Sequence, residues 1–199
     1  MLVVLSDTHG TDDSQLTDHL REVIREAELV VHAGDFTTTT VLEAFESEAA
    51  AFVGVHGNSD TVGVRERLPA TRTIEWGGRR FVLAHGHRHD STSLSLLARQ
   101  EQATIAVVGH THRPGIQRRA GPQQGGGAQQ SAGTPRGSEG QWGRQEQRGR
   151  RGELVVVNPG SHADPRGGRP TYALFEQTEG GMMAKLCLDE GQTFETVPL

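Results

Sequence analysis

Five times along this chain an apolar run of β type ends in a short polar cluster that carries histidine, aspartate or both. The clusters are "SDTHG" at 6–10, "AGD" at 33–35, "GNSD" at 57–60, "AHGH" at 84–87 and "GHTH" at 109–112. In α/β sheets the loops leaving the carboxyl ends of strands converge on one crevice, so residues far apart in sequence meet there. In an extended segment, residues i and i+2 project to the same side. Asp7 with His9, and His110 with His112, can therefore each grip one centre. Any one cluster alone reads as turn chemistry; five in the same position relative to a strand point to a shared site.

The apolar runs themselves are "LVVL" (2–5), "LVVHA" (29–33), "AFVGV" (51–55), "RFVLA" (80–84), "TIAVV" (104–108), "LVVV" (154–157), "TYALF" (171–175) and "MMAKLCL" (182–188). Several are continuously apolar, as expected of strands covered on both faces. Leu16, Leu20, Ile24 and Ala27 recur at helical spacing within 12–28, and residues 39–49 and 91–102 also read as helices. Strand and helix alternate through the first half, which predicts an α/β layered core. Gly-Gly pairs at 77–78 and 180–181 predict hairpins in the second half. A mixed sheet, or two sheets stacked between helices, fits both halves.

With 199 residues the chain can build one sizeable core, and a single domain over 1–199 is expected. One stretch stands apart. Residues 118–152 contain no Val, Ile, Leu, Phe or Met, and they carry seven Arg against two Glu. Such a composition buries too little surface to offset ordering entropy, so 118–152 is expected to be a disordered Gly/Gln/Arg-rich insertion. The rest of the chain is acidic, within a net charge of −5, and offers nucleic acid no general attraction. The single cysteine, Cys187, excludes an intramolecular disulfide. "MLVVLSD" is too short and lacks the basic start of a signal peptide, and no run reaches transmembrane length. A cytoplasmic protein without membrane contact is expected.

Pooled, the clusters offer the carboxylates of Asp7 and Asp35, the amide oxygen of Asn58 and the imidazoles of His9, His85, His110 and His112. Seven ligands of mixed oxygen and nitrogen type are too many for one tetrahedral zinc. They suit two metals sharing a carboxylate and a water, about 3.5–4 Å apart, an arrangement that hydrolyses phosphate esters. With no thiolate in the set, Mn²⁺, Ni²⁺, Fe²⁺, Co²⁺ or Zn²⁺ is favoured over copper.

Asp7-x-His9, Gly34-Asp35, Gly57-Asn58-x-Asp60, His85-Gly86 and Gly109-His110-x-His112 resemble the five motifs of the calcineurin-like metallophosphoesterase superfamily. The compact size, and Asn158-Pro159-Gly160-Ser161 following "GHTHRP", are similar to its small bacterial and archaeal branch of YfcE- and MJ0936-type phosphodiesterases. The resemblance spans the chain apart from 118–152. It implies a four-layer α/β/β/α sandwich of two mixed sheets flanked by helices. It also implies a metal-dependent phosphodiesterase acting on small phosphodiesters through a hydroxide bridging two divalent ions, with Mn²⁺ the first choice. One metal would take Asp7, His9, Asp35 and His112, and the other Asp35, Asn58, His85 and His110, with Asp35 shared. Small relatives are often homodimers or larger.

Candidate catalytic residues are Asp35, Asn58, Ser59 and Asp60, the last orienting its neighbours. Many members of the superfamily have a histidine where this chain has Ser59, and that histidine helps protonate the leaving oxygen. A serine hydroxyl donates a hydrogen bond but is a poor acid near neutral pH, a difference of about 10²–10⁴-fold for a basic leaving group. The expectation is a slow enzyme favouring good leaving groups, or one with a substitute acid among His56, His87 and His89. Arg113 and Arg166 are candidates for attracting an anionic substrate. Two other readings are a non-enzymatic scaffold, as in the retromer subunit that the superfamily also resembles, and a nuclease tethered by the basic insertion. Broken ligand motifs would favour the scaffold, and here all seven ligands are intact.

Overall fold

The computed structural model describes residues 1–120 and 153–199. In chain order the elements are β1 (Leu2–Leu5), α1 (Asp18–Glu26), β2 (Leu29–His32), α2 (Thr39–Glu48), β3 (Phe52–Gly54), α3 (Val62–Arg67), β4 (Thr71–Trp76), β5 (Arg79–Ala84), α4 (Ser91–Gln100), β6 (Ile105–Val107), β7 (Gly115–Ala120), β8 (Glu153–Asn158), β9 (Thr171–Thr178), β10 (Gly181–Leu188) and β11 (Thr193–Pro198). They form a six-stranded sheet, β11-β10-β9-β1-β2-β3, and a five-stranded sheet, β4-β5-β6-β8-β7. Strands β1, β2 and β3 run parallel in the first, and β5, β6 and β8 in the second. The remaining pairings are antiparallel, so both sheets are mixed.

The apolar runs are continuous because each strand is buried on both faces. Leu2 and Val4 of β1 join Phe81 and Leu83 of β5 and Val155 and Val157 of β8 in a core between the sheets. Val3 and Leu5, pointing the other way, pack with Leu20 and Ile24 of α1 and Val41, Leu42 and Phe45 of α2. Val82, Ala106 and Val156 pack with Leu94 and Ala98 of α4 on the far side. Helices therefore cover the outer faces, which makes the four layers helix, sheet, sheet, helix. A fully buried Leu or Ile side chain contributes about 1.5–3 kcal/mol, so Leu20 and Ile24, both wholly buried, are enough to dock α1.

Two boundaries differ from the sequence reading. The helix expected across 12–28 spans only Asp18–Glu26. Gln15 takes a left-handed φ of 55°, which no helix accommodates, and the Thr17 hydroxyl accepts the Leu20 N–H at 3.2 Å as the N-cap. Leu16 is buried from outside the helix, which is why its spacing looked helical. Residues 118–120, expected to open the insertion, instead belong to β7 and pair with β8. The disorder expected of 121–152 lies outside the described residues. Gly77 and Gly78 form the β4–β5 hairpin turn with φ of 58° and 71°, as a two-residue turn of this hand requires. Among the described residues, no helix is long and apolar enough to cross a membrane.

Candidate metal centre and active site

Because β1, β2 and β3 run parallel in one sheet and β5, β6 and β8 in the other, their carboxyl ends deliver all five clusters to one edge of the sandwich. Backbone hydrogen bonds lock the loops together within each sheet. Asp7 N–H donates to Gly34 O and His9 N–H to Asp35 O, both at 3.0 Å, while Gly109 N–H donates to His85 O at 3.0 Å. The sheets are joined at the site by His110 N–H, which reaches the Asp7 carboxylate at 2.9 and 3.1 Å.

Two groups of ligand-type atoms result. Asp7, His9 and His112 form one, and Asp7, Asp35 and His85 the other, with the atoms of each group within 4.8 Å of one another. His112 Nε2 lies 3.4 Å from Asp7 Oδ1, and His9 Nε2 lies 3.5 Å from Asp35 Oδ2. His85 Nε2 lies 3.2 Å from that same Asp35 oxygen. His110 stands outside both groups, its ring centroid 5.3 Å from that of His85. Asn58 is exposed and its amide donates to Ser59 Oγ at 3.2 Å.

Two imidazoles are prepared to present a lone pair inward. His85 Nδ1 donates to the Ala33 carbonyl at 2.8 Å, and His112 Nδ1 donates to the Asp164 carbonyl. A carbonyl only accepts, so the proton sits on Nδ1 and Nε2 is left facing the carboxylates. His85 Nε2 is buried and makes no hydrogen bond among the described residues, a costly state for a polar atom that a cation would relieve. The electrostatics agree. Burial pushes the Asp7 carboxyl up, against the opposing pull of His85 and the Ser6 hydroxyl. Burial also works against the Asp35 charge, but His85 and two hydrogen bonds from Ser59 hold that carboxyl below the usual range. His85 is likewise opposed by burial, yet Asp35 and Asp7 hold it above its ordinary value. Carboxylates that favour a proton at Nε2 equally favour a divalent cation there, so Asp7, His9, Asp35, His85 and His112 form groups that fit a metal, while His110 and Asn58 stand outside them.

Backbone strain in these loops falls on several of the same residues. Asp7, His9, Asp35, His110 and His112 all have left-handed φ, between 50° and 69°, which costs non-glycine residues of order 1–3 kcal/mol each. Tight approach explains two of the glycines. A Cβ on Gly57 would lie 2.1 Å from Asp35 Oδ1, and one on Gly109 would lie 1.8 Å from Ser6 Oγ.

Ser59 and Asp60 both act on Asp35. The Ser59 N–H and hydroxyl donate to its two carboxylate oxygens at 2.8 and 3.0 Å. Asp60 touches no ligand side chain; its carboxylate accepts the backbone N–H groups of Asp35, Thr37 and Gly57 at 3.1, 2.7 and 2.6 Å. Of the histidines considered as acids, His87 stands beside the centre, its ring 5.4 Å from His85 and 6.2 Å from His110. Burial and these neighbouring imidazoles, with Arg88, hold its pKa down. His56 Nδ1 faces Gly57 O at 3.2 Å. For His89, the described contact is through its backbone to Gly86.

Several supporting residues escaped the sequence reading. Ser161, noted above only as part of the Asn-Pro-Gly-Ser stretch, is buried and donates to the Asp7 carbonyl at 2.7 Å. Asn158 holds the last cluster through Gly109 O and Thr111 Oγ1. Asp164 carried no motif. His32 sat unnoticed inside a strand: its Nδ1 accepts the Gly34 N–H, its Nε2 donates to Thr8 Oγ1 at 2.8 Å, and its ring stacks on Phe36 at 3.8 Å. Complete burial, reinforced by His162 and His85, holds its pKa well below the ordinary value. The folded state therefore refuses a proton that the unfolded chain accepts below about pH 6.5. Stability carried by this neutral ring is present above that pH and is lost as the pH falls, at up to about 1.4 kcal/mol per pH unit. Denaturant unfolding at pH 7.5 and 5.5 checks this, with His32→Gln expected to lose less stability on acidification than the wild type.

Two mixed sheets between helices, with a histidine–aspartate cluster at the parallel strand ends, define a class of metal-dependent phosphoesterase folds. The chain belongs to the calcineurin-like phosphoesterase superfamily, whose domain it matches over residues 1–180. A probable metallophosphoesterase of Methanothermobacter thermautotrophicus is 34% identical over 122 residues, 59% of this chain and 69% of that protein. The phosphodiesterase MJ0936 of Methanocaldococcus jannaschii is 25% identical over 128 residues, 55% of this chain and 71% of that one. Among solved structures, the phosphoesterase YfcE of E. coli aligns with a TM-score of 0.62 at 19% identity, covering 98% of this chain and 97% of its own. A Vps29 variant from Entamoeba histolytica aligns at 0.68 with 17% identity, covering 100% and 98%. At such identities the structural likenesses establish the fold alone.

Proposed function

We propose that this protein is a phosphodiesterase that works with two divalent cations, Mn²⁺ foremost. The observation carrying this reading is the pair His85 and His112, each with Nδ1 committed to a backbone carbonyl and Nε2 turned toward the Asp35 or Asp7 carboxylate. We assign Asp7, His9, Asp35 and His112 to one cation and Asp35, Asn58, His85 and His110 to the other. One oxygen of Asp35 faces both His9 and His85, which supports it as the shared ligand. Divalent cations there supply the charge that acidifies water and neutralises a phosphoryl group.

The chain's own residues set how well that chemistry runs. Ser59 points its hydroxyl proton at Asp35 and accepts from Asn58, so the proton is not aimed at a leaving oxygen. Slow turnover, favouring leaving groups that depart without protonation, follows from this. His87, beside His85 and His110, is the candidate for the proton donor when the leaving group is basic. Asp60, Ser161 and Asn158 hold the ligand loops by their backbones and act as positioning residues.

The test is hydrolysis of bis-p-nitrophenyl phosphate by metal-stripped protein, with and without added Mn²⁺ or Ni²⁺. Turnover is expected on metal addition and its loss on chelation. Two bound metals per chain without turnover under any metal would abandon the enzyme reading in favour of a scaffold.

A further inference from the structure

Helix α4 covers only part of the outer face of the five-stranded sheet. Beyond it, over β7 and β8, lies a groove with a volume of about 600 Å³, within the range that holds small ligands. His112 forms part of its wall, so the groove opens directly beside the proposed metal centre. Among the described residues its lining includes Arg113, Arg119 and Arg166 and no carboxylate, Asp164 touching it only through Arg166. In a chain of net charge −5, this is a local reversal of sign that attracts anions.

Arg119 gives the groove a specific donor. Its Nη2 donates to Gln117 Oε1 at 3.2 Å, while its Nη1 is shielded from solvent and has no hydrogen-bond partner among the described residues. An enclosed cationic donor without a partner is costly, and a phosphate oxygen matches the guanidinium fork. Arg166 is tied to the centre: its Nε lies 3.5 Å from the carboxylate of Asp164, whose carbonyl holds His112. Arg113 enters no ion pair among the described residues and sits on the exposed rim.

We infer that this groove is an anion subsite for the non-reacting arm of the substrate, so that the preferred diesters carry a second phosphate near the scissile one. The inference rests on the phosphodiesterase reading, and its test separates the two. The p-nitrophenyl ester of thymidine 5′-phosphate is compared with the same ester bearing a 3′-phosphate, in the Mn²⁺-loaded protein. The 3′-phosphate is expected to raise kcat/KM about 10–100-fold, the scale of one or two charge-assisted hydrogen bonds. In Arg113→Ala and in Arg119→Lys, which keeps the charge and loses the fork, the ratio between the two esters is expected to fall toward one. Calorimetric binding of thymidine 3′,5′-bisphosphate against thymidine 5′-phosphate supplies a readout independent of turnover. Hydrolysis of both esters with a ratio near one in the wild type overturns the subsite and leaves the phosphodiesterase standing. No turnover of either ester, with tighter and arginine-dependent binding of the bisphosphate, keeps the subsite and overturns the enzyme reading. Equal binding of the two nucleotides overturns the subsite.

Discussion

Asp35→Asn is expected to lower Mn²⁺-dependent hydrolysis of bis-p-nitrophenyl phosphate by at least about 10²-fold, beyond the usual effect of removing a group that merely supports a ligand. Metal content per chain is expected to fall with it. The substitution is chosen because it changes charge and little else. Asparagine has nearly the same shape and tolerates the left-handed φ of 61° found at this position. What it loses is the second anionic oxygen. Asp35 Oδ2 is the atom that faces His9 at 3.5 Å and His85 at 3.2 Å, while Oδ1 accepts the Ser59 N–H at 2.8 Å. An amide keeps one of these roles and turns N–H groups toward the other. If the Asp35→Asn variant retained full metal content and near wild-type rates, Asp35 would not be a ligand and the assignment of the centre would fail.

The parts of this molecule that were legible in its sequence share a physical cause. Strands β1, β5 and β8 are buried on both faces, so each stands out as an unbroken apolar run, and β1 and β5 end in two of the clusters. Strands β7 and β11, both at sheet edges, and the short helix α3 carry no such mark. Strand β7 reads Gly-Ile-Gln-Arg-Arg-Ala, and Ile116 packs on the core between the sheets. Strand β11 alternates between exposed and half-buried positions. Helix α3 has a single buried residue, Val64, and no side-chain cap. Each is held by its neighbours more than by its own pattern.

The same division runs through the site. Ligand candidates were visible because aspartate and histidine after an apolar strand have little structural use. Asp60 was singled out within its motif, but most of the other residues that aim them were not, because they work through backbone atoms. Asp164 contributes a carbonyl to His112, Ala33 contributes one to His85, and Ser161 binds the Asp7 carbonyl. Any residue type supplies a carbonyl, so composition holds no trace of that role. His32 was hidden for the opposite reason: its side chain itself makes the contacts, but it lies within a β-strand pattern where one polar residue reads as a strand end.

Asp60 is the positioning residue whose loss is expected to cost the fold most. It is almost fully buried and its carboxylate is the sole acceptor described for three backbone N–H groups, those of Asp35, Thr37 and Gly57. Those donors lie on two different loops, the one after β2 and the one after β3, so Asp60 fastens the second cluster to the third. Hydrogen bonds to a charged acceptor contribute about 1.5–3 kcal/mol each, and they do not add fully when they share one group. Asp60→Ala leaves all three donors unsatisfied and is expected to destabilise the protein by about 3–5 kcal/mol. Asp60→Asn is expected to cost less, about 1–3 kcal/mol. Its amide oxygen in place of Oδ2 still accepts from Asp35 and Gly57, and only the Thr37 N–H meets another donor. Urea unfolding of the metal-free proteins measures both, free of any contribution from bound cations. Metal affinity should follow the same order, wild type above the asparagine variant and that above the alanine one, because the backbone of Asp35 is what Asp60 holds. An alanine variant as stable as the asparagine one would mean that water replaces the carboxylate without loss, and that the two loops are fastened elsewhere.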